Sequence, residues 1–286
     1  MNAVQVLRNF INSGKILVAP GVSDGLSALL AKQAGFPVLY ASGGAIARST
    51  GYPDIGLLSM TEVCASISHI VNVTGLPIIA DADTGFGNAL NVRRTVLEFE
   101  RIGVAGLHLE DQTFPKRCGH LDDKTLVSTD EMCHKIRIAR SSLSNPEFVL
   151  IARTDAIAVE GFDNAILRAK AYKKAGADMI FVEAPETIQQ IEMIAKTIPG
   201  PKLINQFHGG KTPVVPLPKL QELGYCVVII PSDLQRAAIK AMQTTLSAIQ
   251  QNGNSEAVLD QLVTFNEREK IVGTAQYFAI DKLTKT

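Results

Sequence analysis

Eight short apolar runs recur along most of the chain, and their spacing constrains the fold more than any other feature of the sequence. The runs are residues 15–19, 37–41, 77–81, 106–110, 148–153, 178–183, 202–205 and 226–230. Most stretches between them have helical periodicity, for example Ala165–Ala175, which precedes a glycine suited to ending a helix. Strands that alternate with helices pair in parallel through right-handed crossovers. Eight repeats in 286 residues predict an α/β protein with a closed (β/α)₈ TIM barrel, although spacing alone leaves an open doubly wound sheet as the alternative.

The chain has no linker, internal repeat or change of composition that would mark a domain boundary, so we predict one barrel domain over residues 1–286. A tail of extra helices begins at about residue 238, continues as helix through Ile249 and is broken by polar residues from Gln251. Apolar residues further along the tail, near Val258, Leu259 and Leu262, indicate a surface that packs on a partner.

The charge balance argues against nucleic acid as a partner. The 28 basic side chains are cancelled by 28 acidic ones, whereas phosphate backbones require a basic surplus. No run approaches the roughly 18 to 20 apolar residues that cross a bilayer, and residues 1–12 have helical spacing unlike a signal peptide. The four cysteines lack the spacing of a disulfide framework or zinc knuckle. We therefore expect a cytoplasmic protein with reduced thiols and no membrane partner.

Two glycine motifs resemble nucleotide-binding loops but are incomplete. Gly85-x-Gly87 begins like a dinucleotide fingerprint, but Leu90 stands where the third glycine is required. Residues 210–212 (Gly-Lys-Thr) resemble the end of a P-loop, but Asn205 replaces its first glycine. Both patterns argue against a nucleotide site.

Acidic residues follow several of the predicted strands, at the barrel end where catalytic residues converge. They are Asp81, Asp83, Glu110 and Glu183, and Asp54 in a nearby loop is a further candidate. Carboxylates gathered at one opening raise one another's pKa unless a cation shares the site. Hard oxygen ligands without a histidine cluster predict Mg²⁺, with Mn²⁺ as the alternative, rather than zinc.

The segment Lys116-Arg117-Cys118-Gly119-His120 follows the fourth strand and has no apolar pattern. A thiol flanked by two cations and a histidine is expected to have a lowered pKa, which suits a proton donor or nucleophile. The alternative is a zinc site, although the available ligands lack the usual spacing. Those ligands are Cys118, His120, Cys133 and His134. The remaining cysteines are interpreted as small buried hydrophobic residues; they are Cys64, Cys133 and Cys226.

Six motifs together resemble the isocitrate lyase and phosphoenolpyruvate mutase superfamily across nearly the whole chain. They are residues 42–44 (Ser-Gly-Gly), 80–88 (Ala-Asp-Ala-Asp-Thr-Gly-Phe-Gly-Asn), 109–112 (Leu-Glu-Asp-Gln), 116–121 (Lys-Arg-Cys-Gly-His-Leu), 152–156 (Ala-Arg-Thr-Asp-Ala) and 183–184 (Glu-Ala). The resemblance is nearest to members acting as 2-methylisocitrate lyases, 2,3-dimethylmalate lyases and oxaloacetate hydrolases. It implies a Mg²⁺-dependent barrel enzyme that binds small 2-oxo or 2-hydroxy carboxylates, passes through an enolate-like intermediate and forms homotetramers by exchanging the last helix.

The resemblance also implies roles for individual residues. The catalytic set is Cys118, Arg153, Tyr40, His120 and Lys116. The substrate-binding set is Tyr40, Ser42, Gly43, Gly44, Asp81, Arg153, Glu183 and Asn205. The metal set is Asp81, with Asp54, Asp83 and Glu110 acting through water. Lys116 to Leu121 would be a mobile gate whose cysteine protonates the departing fragment.

The expected reaction is cleavage of a 2-hydroxy di- or tricarboxylate to pyruvate or a related 2-oxo acid. Phe207 replaces a threonine that is typical of 2-methylisocitrate lyases, which favours a smaller or more apolar substrate if the ring points inward. The alternatives are an oxaloacetate hydrolase or decarboxylase, a carboxyphosphonoenolpyruvate-type phosphonomutase and a catalytically idle sensor of 2-oxo acids. His208 is either a turn residue or catalytic, and Ser232 could favour oxaloacetate hydrolysis.

Overall fold

All eight apolar runs form strands in the computed structural model, which describes residues 2–283. The strands are β1 (Leu17–Val22), β2 (Leu39–Ala41), β3 (Ile78–Asp81), β4 (Gly106–Glu110), β5 (Val149–Thr154), β6 (Met179–Val182), β7 (Lys202–Asn205) and β8 (Val227–Ile230). They pair in parallel in chain order, and β1 pairs with β8 from Leu17↔Val227 to Pro20↔Ile230. This last pairing closes the barrel, so the predicted fold is confirmed and the open sheet is excluded.

Thirteen α-helices surround and extend the barrel within the described residues. They are α1 (Ala3–Asn12), α2 (Gly25–Gln33), α3 (Gly43–Ser49), α4 (Met60–Thr74), α5 (Ala89–Arg101), α6 (Thr129–Ser142), α7 (Ile157–Glu160), α8 (Phe162–Ala175), α9 (Ile188–Thr197), α10 (Leu217–Glu222), α11 (Asp233–Asn252), α12 (Phe265–Val272) and α13 (Thr274–Leu283), with a 3₁₀ helix at Glu256–Gln261. Local sequence sets many of their ends. Helix α4, for example, begins at a Ser59 capping box with Glu62 and ends at Gly75, whose φ is 62°.

The N-terminal end of the barrel is filled by apolar side chains. Helix α1 covers this end, and its buried residues Leu7 and Ile11 belong to one cluster with Leu17, Ala105 and Val149 from the strand starts. A second apolar cluster lies between the strands and the outer helices. The carboxyl ends of the strands, at the opposite end, are therefore the part of the barrel left for polar groups.

The tail begins earlier and breaks later than the sequence predicted. Helix α11 starts at Asp233 and continues to Asn252, so the break falls inside the predicted polar segment 251–254 but two residues later than Gln251. The helix ends because Gly253 takes a left-handed conformation with φ 71° and its N–H bonds to the Ile249 carbonyl. Large apolar residues on the tail are exposed in the single chain, including Phe265, Tyr277 and Phe278. None of the described helices is both long and apolar enough to cross a membrane.

Candidate active site

A small cavity lies at the carboxyl ends of the strands, which we call the mouth. Its volume is about 70 Å³. Predicted residues that line it are Tyr40, Ser42, Gly44, Asp54, Asp81, Lys116, Cys118, His120, Arg153, Glu183 and Asn205. Pockets for drug-sized ligands are typically about 300–1,000 Å³, so this space matches a small ligand rather than a nucleotide.

The barrel brings several of the charged and polar side chains of the mouth together because they lie at the ends of different strands. Asp81 is the last residue of β3, Glu110 of β4 and Asn205 of β7. Arg153 is the second-last residue of β5, and Glu183 directly follows β6. Neighbouring parallel strands end at one rim, so residues more than 100 positions apart in the chain share one cavity.

Asp81, His108 and Glu110 form a buried group that could hold a metal ion. One potential ligand atom from each lies within 4.8 Å of the other two. Both Glu110 oxygens are buried without a hydrogen bond, although Oε2 lies 3.3 Å from Nε of Arg153. Such unsatisfied buried oxygens are costly unless a cation or water occupies the space beside them. Two carboxylates and one imidazole suit a divalent cation, so the residues present fit a divalent metal.

Electrostatics within the acidic group differ from residue to residue. Burial, opposed by Arg153 but reinforced by the nearby acids, raises the pKa of Glu110 well above its usual value. Burial also raises the pKa of Asp83 to about 7, with Asp81 and Asp54 adding to the shift and Lys116 opposing it. Burial has the same tendency at Asp81, but interactions with His108, Lys116 and Arg153 outweigh it and lower that pKa below its usual range. A hydrogen bond from the Asp83 N–H acts in the same direction. Asp81 is therefore the carboxylate most firmly ionised at neutral pH.

Lys116 lies between two of the predicted metal-set residues. Its ammonium forms an ion pair with Asp54 and lies 3.0 Å from Oδ1 of Asp83. Burial alone would lower the Lys116 pKa, but Asp83 and Asp54 raise it well above its ordinary value. The side chain therefore carries a fixed positive charge against the acidic group.

His108 is a site residue that the sequence reasoning missed. It lies inside β4, and its Nε2 is 2.8 Å from the Tyr40 hydroxyl and 3.6 Å from Oδ1 of Asp81. Burial lowers the His108 pKa to about 4, so the imidazole is neutral at pH 7. Burial and Asp81 raise the Tyr40 pKa, which keeps its phenol protonated. A polar residue in an otherwise apolar strand was the available signal, since no other residue of β4 before Glu110 is polar.

The small residues after β2 are required by close packing. Gly43 donates its N–H to Oδ2 of Asp81 at 3.3 Å, and a Cβ on Gly43 would lie 2.7 Å from that oxygen. A Cβ on Gly44 would lie 2.7 Å from Oδ2 of Asp54. The Ser42 hydroxyl accepts the Ala45 N–H and caps α3. Larger residues here would displace the acidic group.

Arg153 is surrounded by carboxylates on the other side of the mouth. Its guanidinium donates to Asp155 through Nε at 2.8 Å and Nη2 at 3.0 Å, and Nη1 lies 3.5 Å from Oε2 of Glu183. It also lies over the Phe181 ring, 5.2 Å from the centroid. Burial disfavours the cation, but Asp155, Glu110 and Glu183 raise the Arg153 pKa well above its usual value. Its charge and orientation are thereby fixed.

Cys118 lies on a loop that covers the mouth. Residues 113–125, which we call the gate loop, are enclosed by an isolated antiparallel bridge between Gln112 and Leu126. The Cys118 N–H bonds to the Asp54 carbonyl at 3.1 Å. A Cβ on Gly119 would lie 2.4 Å from Nη2 of Arg153. The loop is therefore packed directly onto the mouth.

The prediction of a lowered Cys118 pKa is wrong. Burial raises the thiol pKa, and the Asp54 carboxylate raises it further. The two cations that flank Cys118 in sequence do not both act on the thiol. Arg117 points outward, 49% exposed, toward Asp123, whereas Lys116 is committed to the acidic group. At neutral pH the side chain is a protonated thiol.

His120 and Glu183 interact across the mouth. Nε2 of His120 lies 3.3 Å from Oε1 of Glu183, and Nδ1 accepts the Lys211 N–H at 3.1 Å. This places the ring proton on Nε2. The Asn205 amide lies 3.3 Å from the same Nε2. The Phe207 ring contacts His120 edge-on, with centroids 4.7 Å apart, so Phe207 points inward.

Of the remaining candidate residues, some line the cavity and others lie away from it. Ser232 lines the cavity. His208 is exposed, and its carbonyl accepts from Arg236 at 2.7 Å, which fits a turn residue. The zinc alternative is not formed, because among residues 2–283 the only grouped potential ligands are the three around Asp81. The other three cysteines are buried, as predicted; they are Cys64, Cys133 and Cys226.

The fold and this site define a class: (β/α)₈ barrels whose strand-end carboxylates and a buried imidazole form a group that fits a divalent metal. The sequence profile of the phosphoenolpyruvate phosphomutase family matches residues 7–250. The chain belongs to this family, and so to the phosphoenolpyruvate mutase and isocitrate lyase superfamily.

Named relatives are similar over almost their whole length. The chain is 44% identical to a 2,3-dimethylmalate lyase of Eubacterium barkeri, covering 96% of this chain and 95% of the relative. It is 43% identical to a 2-methylisocitrate lyase of Aeropyrum pernix, covering 95% and 88%. A solved structure of oxaloacetate acetylhydrolase with 3,3-difluorooxalacetate has a TM-score of 0.93 at 33% identity, covering 99% and 97%. A phosphonopyruvate hydrolase complex with oxalate and Mg²⁺ has a TM-score of 0.90 at 32% identity, covering 99% of each chain.

Proposed function

We propose that the protein is a divalent-metal-dependent carbon–carbon lyase of the 2,3-dimethylmalate or 2-methylisocitrate type. It cleaves a small 2-hydroxy di- or tricarboxylate to pyruvate or a related 2-oxo acid and a second carboxylate. The observation that carries this proposal is the arrangement of one small cavity. Buried acidic groups line one side of it, and a protonated thiol on a covering loop faces it.

We propose Mg²⁺ as the metal, with Mn²⁺ as a substitute. Asp81 would hold it, with His108, Glu110, Asp54 and Asp83 around it. Oxygen-rich sites favour Mg²⁺, and the relative solved with oxalate and Mg²⁺ supports this choice. When bound, the metal supplies positive charge that polarises the substrate's 2-oxygen and carboxylate.

The chain's own residues bind and orient the substrate. Arg153 supplies a fixed cation for the carboxylate or developing oxyanion, because three acids hold its charge and orientation. The Tyr40 hydroxyl supplies a hydrogen bond beside Asp81. Glu183 accepts hydrogen bonds from His120 and from the Asn205 amide, and this group contacts the remainder of the substrate.

Cys118 supplies the proton for the departing fragment. A base first removes the 2-hydroxyl proton, and the 2–3 bond then breaks as the 2-oxo group forms. The other fragment is left as a carboxylate-stabilised carbanion, which is basic enough to take a proton from an ordinary or raised-pKa thiol. A raised pKa keeps the proton on sulfur until the carbanion forms. The covering gate loop excludes water, which would otherwise compete as the proton source.

A substrate panel tests the proposal. The protein is incubated with Mg²⁺ and C4 to C7 2-hydroxy acids, including dimethylmalate and 2-methylisocitrate, and the 2-oxo acid released is measured. We expect pyruvate or a homologue from at least one of them, dependent on the metal. Because the inward Phe207 ring replaces a polar contact, we expect dimethylmalate to be preferred. No cleavage of any acid in the panel would contradict the lyase proposal.

The second candidate is hydrolysis or decarboxylation of oxaloacetate. Ser232 lines the cavity, and the similarity to oxaloacetate acetylhydrolase favours testing it. In the same panel, oxalate and acetate from oxaloacetate would identify the hydrolase, and pyruvate with CO₂ the decarboxylase. A carboxyphosphonoenolpyruvate-type substrate tests the mutase. Binding of 2-oxo acids without turnover would indicate the sensor.

The oligomeric state and location remain part of the proposal. We propose a single barrel domain whose tail packs on a second copy, in a homotetramer that exchanges the last helix. The exposed apolar residues of α12 and α13 support it, including Phe265, Tyr277 and Phe278. We also propose a cytoplasmic location, consistent with four free cysteines. Light scattering of the full chain, with and without Phe278→Ser, tests the assembly.

A further inference from the structure

Lys124 is a buried cation that the reaction described above does not use. It lies in the returning half of the gate loop, and its side chain is only 1% exposed. Its ammonium donates to the Gly119 carbonyl and, at 3.0 Å, to Oδ1 of Asp155. A lysine this deeply buried is rare unless its charge is paired, so both contacts are needed to compensate for its desolvation.

The two partners of Lys124 belong to different parts of the molecule. Gly119 is the gate-loop residue after Cys118, and it is packed on Arg153 and Glu183. Asp155 follows β5 and belongs to the barrel. A single ammonium therefore joins the covering loop to the wall of the mouth.

Asp155 is itself rigidly held. Its N–H donates to Oδ1 of Asp111 at 2.9 Å, and the neighbouring Thr154 hydroxyl donates to Oδ2 of Asp111 at 2.7 Å. Asp111 also accepts from Tyr172 at 2.8 Å, and all of these groups are buried. Lys124 thus attaches the loop to a part of the barrel that cannot readily move.

The same carboxylate also orients Arg153. Oδ1 of Asp155 accepts from both Lys124 and Nη2 of Arg153, and Oδ2 accepts from Nε of Arg153. Closure of the loop and orientation of the guanidinium therefore depend on one shared acceptor. Other buried gate-loop contacts go to different acids, since Lys116 pairs with Asp54 and Asp83 and His120 with Glu183. The ion pair between Lys211 and the exposed Asp122 does not reach the Asp155 carboxylate either.

We propose that Lys124 is the positioning residue that holds the gate loop closed and couples its closure to Arg153 through Asp155. Lys124 does not contact the cavity and is not a catalytic residue. Its effect on turnover rests on the proposed function, whereas its effect on the loop does not. Losing a buried charge-assisted hydrogen bond corresponds to about a 10- to 100-fold change in an equilibrium, so the loop should open that much more often.

Alkylation of Cys118, which is only partly exposed while the loop covers the mouth, reports the change in opening between variants. The full-length protein is treated with iodoacetamide, and Cys118 modification is followed by peptide mass spectrometry, which separates it from the three buried cysteines. In Lys124→Met we expect the Cys118 rate to rise about tenfold or more. Labelling of both forms requires the loop to open, so we expect the faster rate in Lys124→Met at every pH tested.

Asp122→Asn is the matched control, because it removes an ion pair of the same loop whose Asp122 side chain is 86% exposed. We expect its labelling rate to stay within about twofold of the wild type, as surface pairs contribute little. Mn²⁺ affinity at the acidic site should be unchanged in both variants. Where lyase activity is found, kcat/KM should fall about tenfold or more only in Lys124→Met.

Thermal unfolding verifies that each variant is folded, and Lys124→Gln replaces Lys124→Met if the latter does not accumulate. A Cys118 labelling rate equal to that of the wild type in a folded Lys124 variant would overturn the proposal. An equal rise of that rate in Asp122→Asn would also overturn it. The labelling result is readable without turnover. If only the lyase proposal is wrong, Cys118 will still be labelled faster in Lys124→Met, but neither the wild type nor any variant will cleave a substrate.

Discussion

The two ends of the barrel are built from the same eight strands, but one end buries apolar side chains and the other buries charged ones. At the N-terminal end, α1 closes a cluster of apolar side chains around Leu7. At the mouth, a few residues further along each strand, Asp81, Glu110 and Arg153 are buried among other charges. Apolar burial stabilises the fold, whereas buried charges cost desolvation free energy. The barrel therefore separates the residues that hold it together from those that act on a ligand.

The largest effect should come from removing the most firmly ionised carboxylate of the mouth. In Asp81→Asn we expect loss of Mn²⁺ binding and a fall in kcat/KM of about 10³-fold or more, since a bound cation contributes several kcal/mol to charge stabilisation. Calorimetric titration with Mn²⁺ and turnover with the best panel substrate measure both. Wild-type metal affinity in this variant would show that the acidic group is not the metal site.

Cys118→Ser should lower turnover by about 10²- to 10⁴-fold, the usual contribution of a positioned general acid. Binding of Mg²⁺ and pyruvate should persist, because the thiol is not among the acidic groups. Single-turnover kinetics and pyruvate titration check this pair of outcomes. Unchanged turnover would remove the cysteine from the mechanism.

A change at the opposite end should affect stability and leave function intact. Leu7 is fully buried, so Leu7→Ala should reduce the free energy of unfolding by about 2–5 kcal/mol. The kcat/KM of the folded fraction should stay unchanged. Leu90→Ala, at a leucine that is 78% exposed on α5, is the control and should change stability little. A large loss of activity in Leu7→Ala would contradict the separation of the two ends.

The smallest effect concerns pH. Burial raises the Asp83 pKa to about 7 in the folded chain, whereas an unfolded aspartate titrates near its ordinary, lower value. Between these two pKa values the folded state holds a proton on Asp83 that the unfolded state has released. In the absence of metal, the contribution of Asp83 to the free energy of unfolding therefore falls as pH rises toward 7. Chemical denaturation at several pH values with EDTA measures the trend. Saturating Mg²⁺ should remove or reverse it, because metal binds the deprotonated acid.

Much of the fold followed from the sequence because strand and helix patterns are local. Strand β1 shows the limit. Lys15–Ala19 was predicted, but the strand is Leu17–Val22, since Pro20 and Gly21 resemble strand breakers. Gly21 pairs with Tyr40 in β2, and a Cβ on it would lie 2.3 Å from the Pro231 carbonyl oxygen. The need for glycine at this position comes from a contact between segments distant in sequence, so a local pattern cannot predict it.

The site was predictable to the extent that it consists of strand ends. His108 was missed because it lies within a strand, and only the closed barrel turns it toward Tyr40 and Asp81. The sign of the Cys118 pKa shift was wrong because sequence neighbours were taken as spatial neighbours. Arg117 turns away, and Asp54, more than 60 positions earlier in the chain, lies near the thiol instead.

The position of Phe207 has an evolutionary consequence. This ring enters the cavity from the segment after β7, whereas the acidic group is supplied mainly by β3, β4 and the segment after β2. Residues that share no contacts tend to have additive effects. Changes of substrate preference at Phe207 can therefore accumulate while the acidic group is retained, so libraries randomised at that position should yield new specificities with unchanged metal affinity.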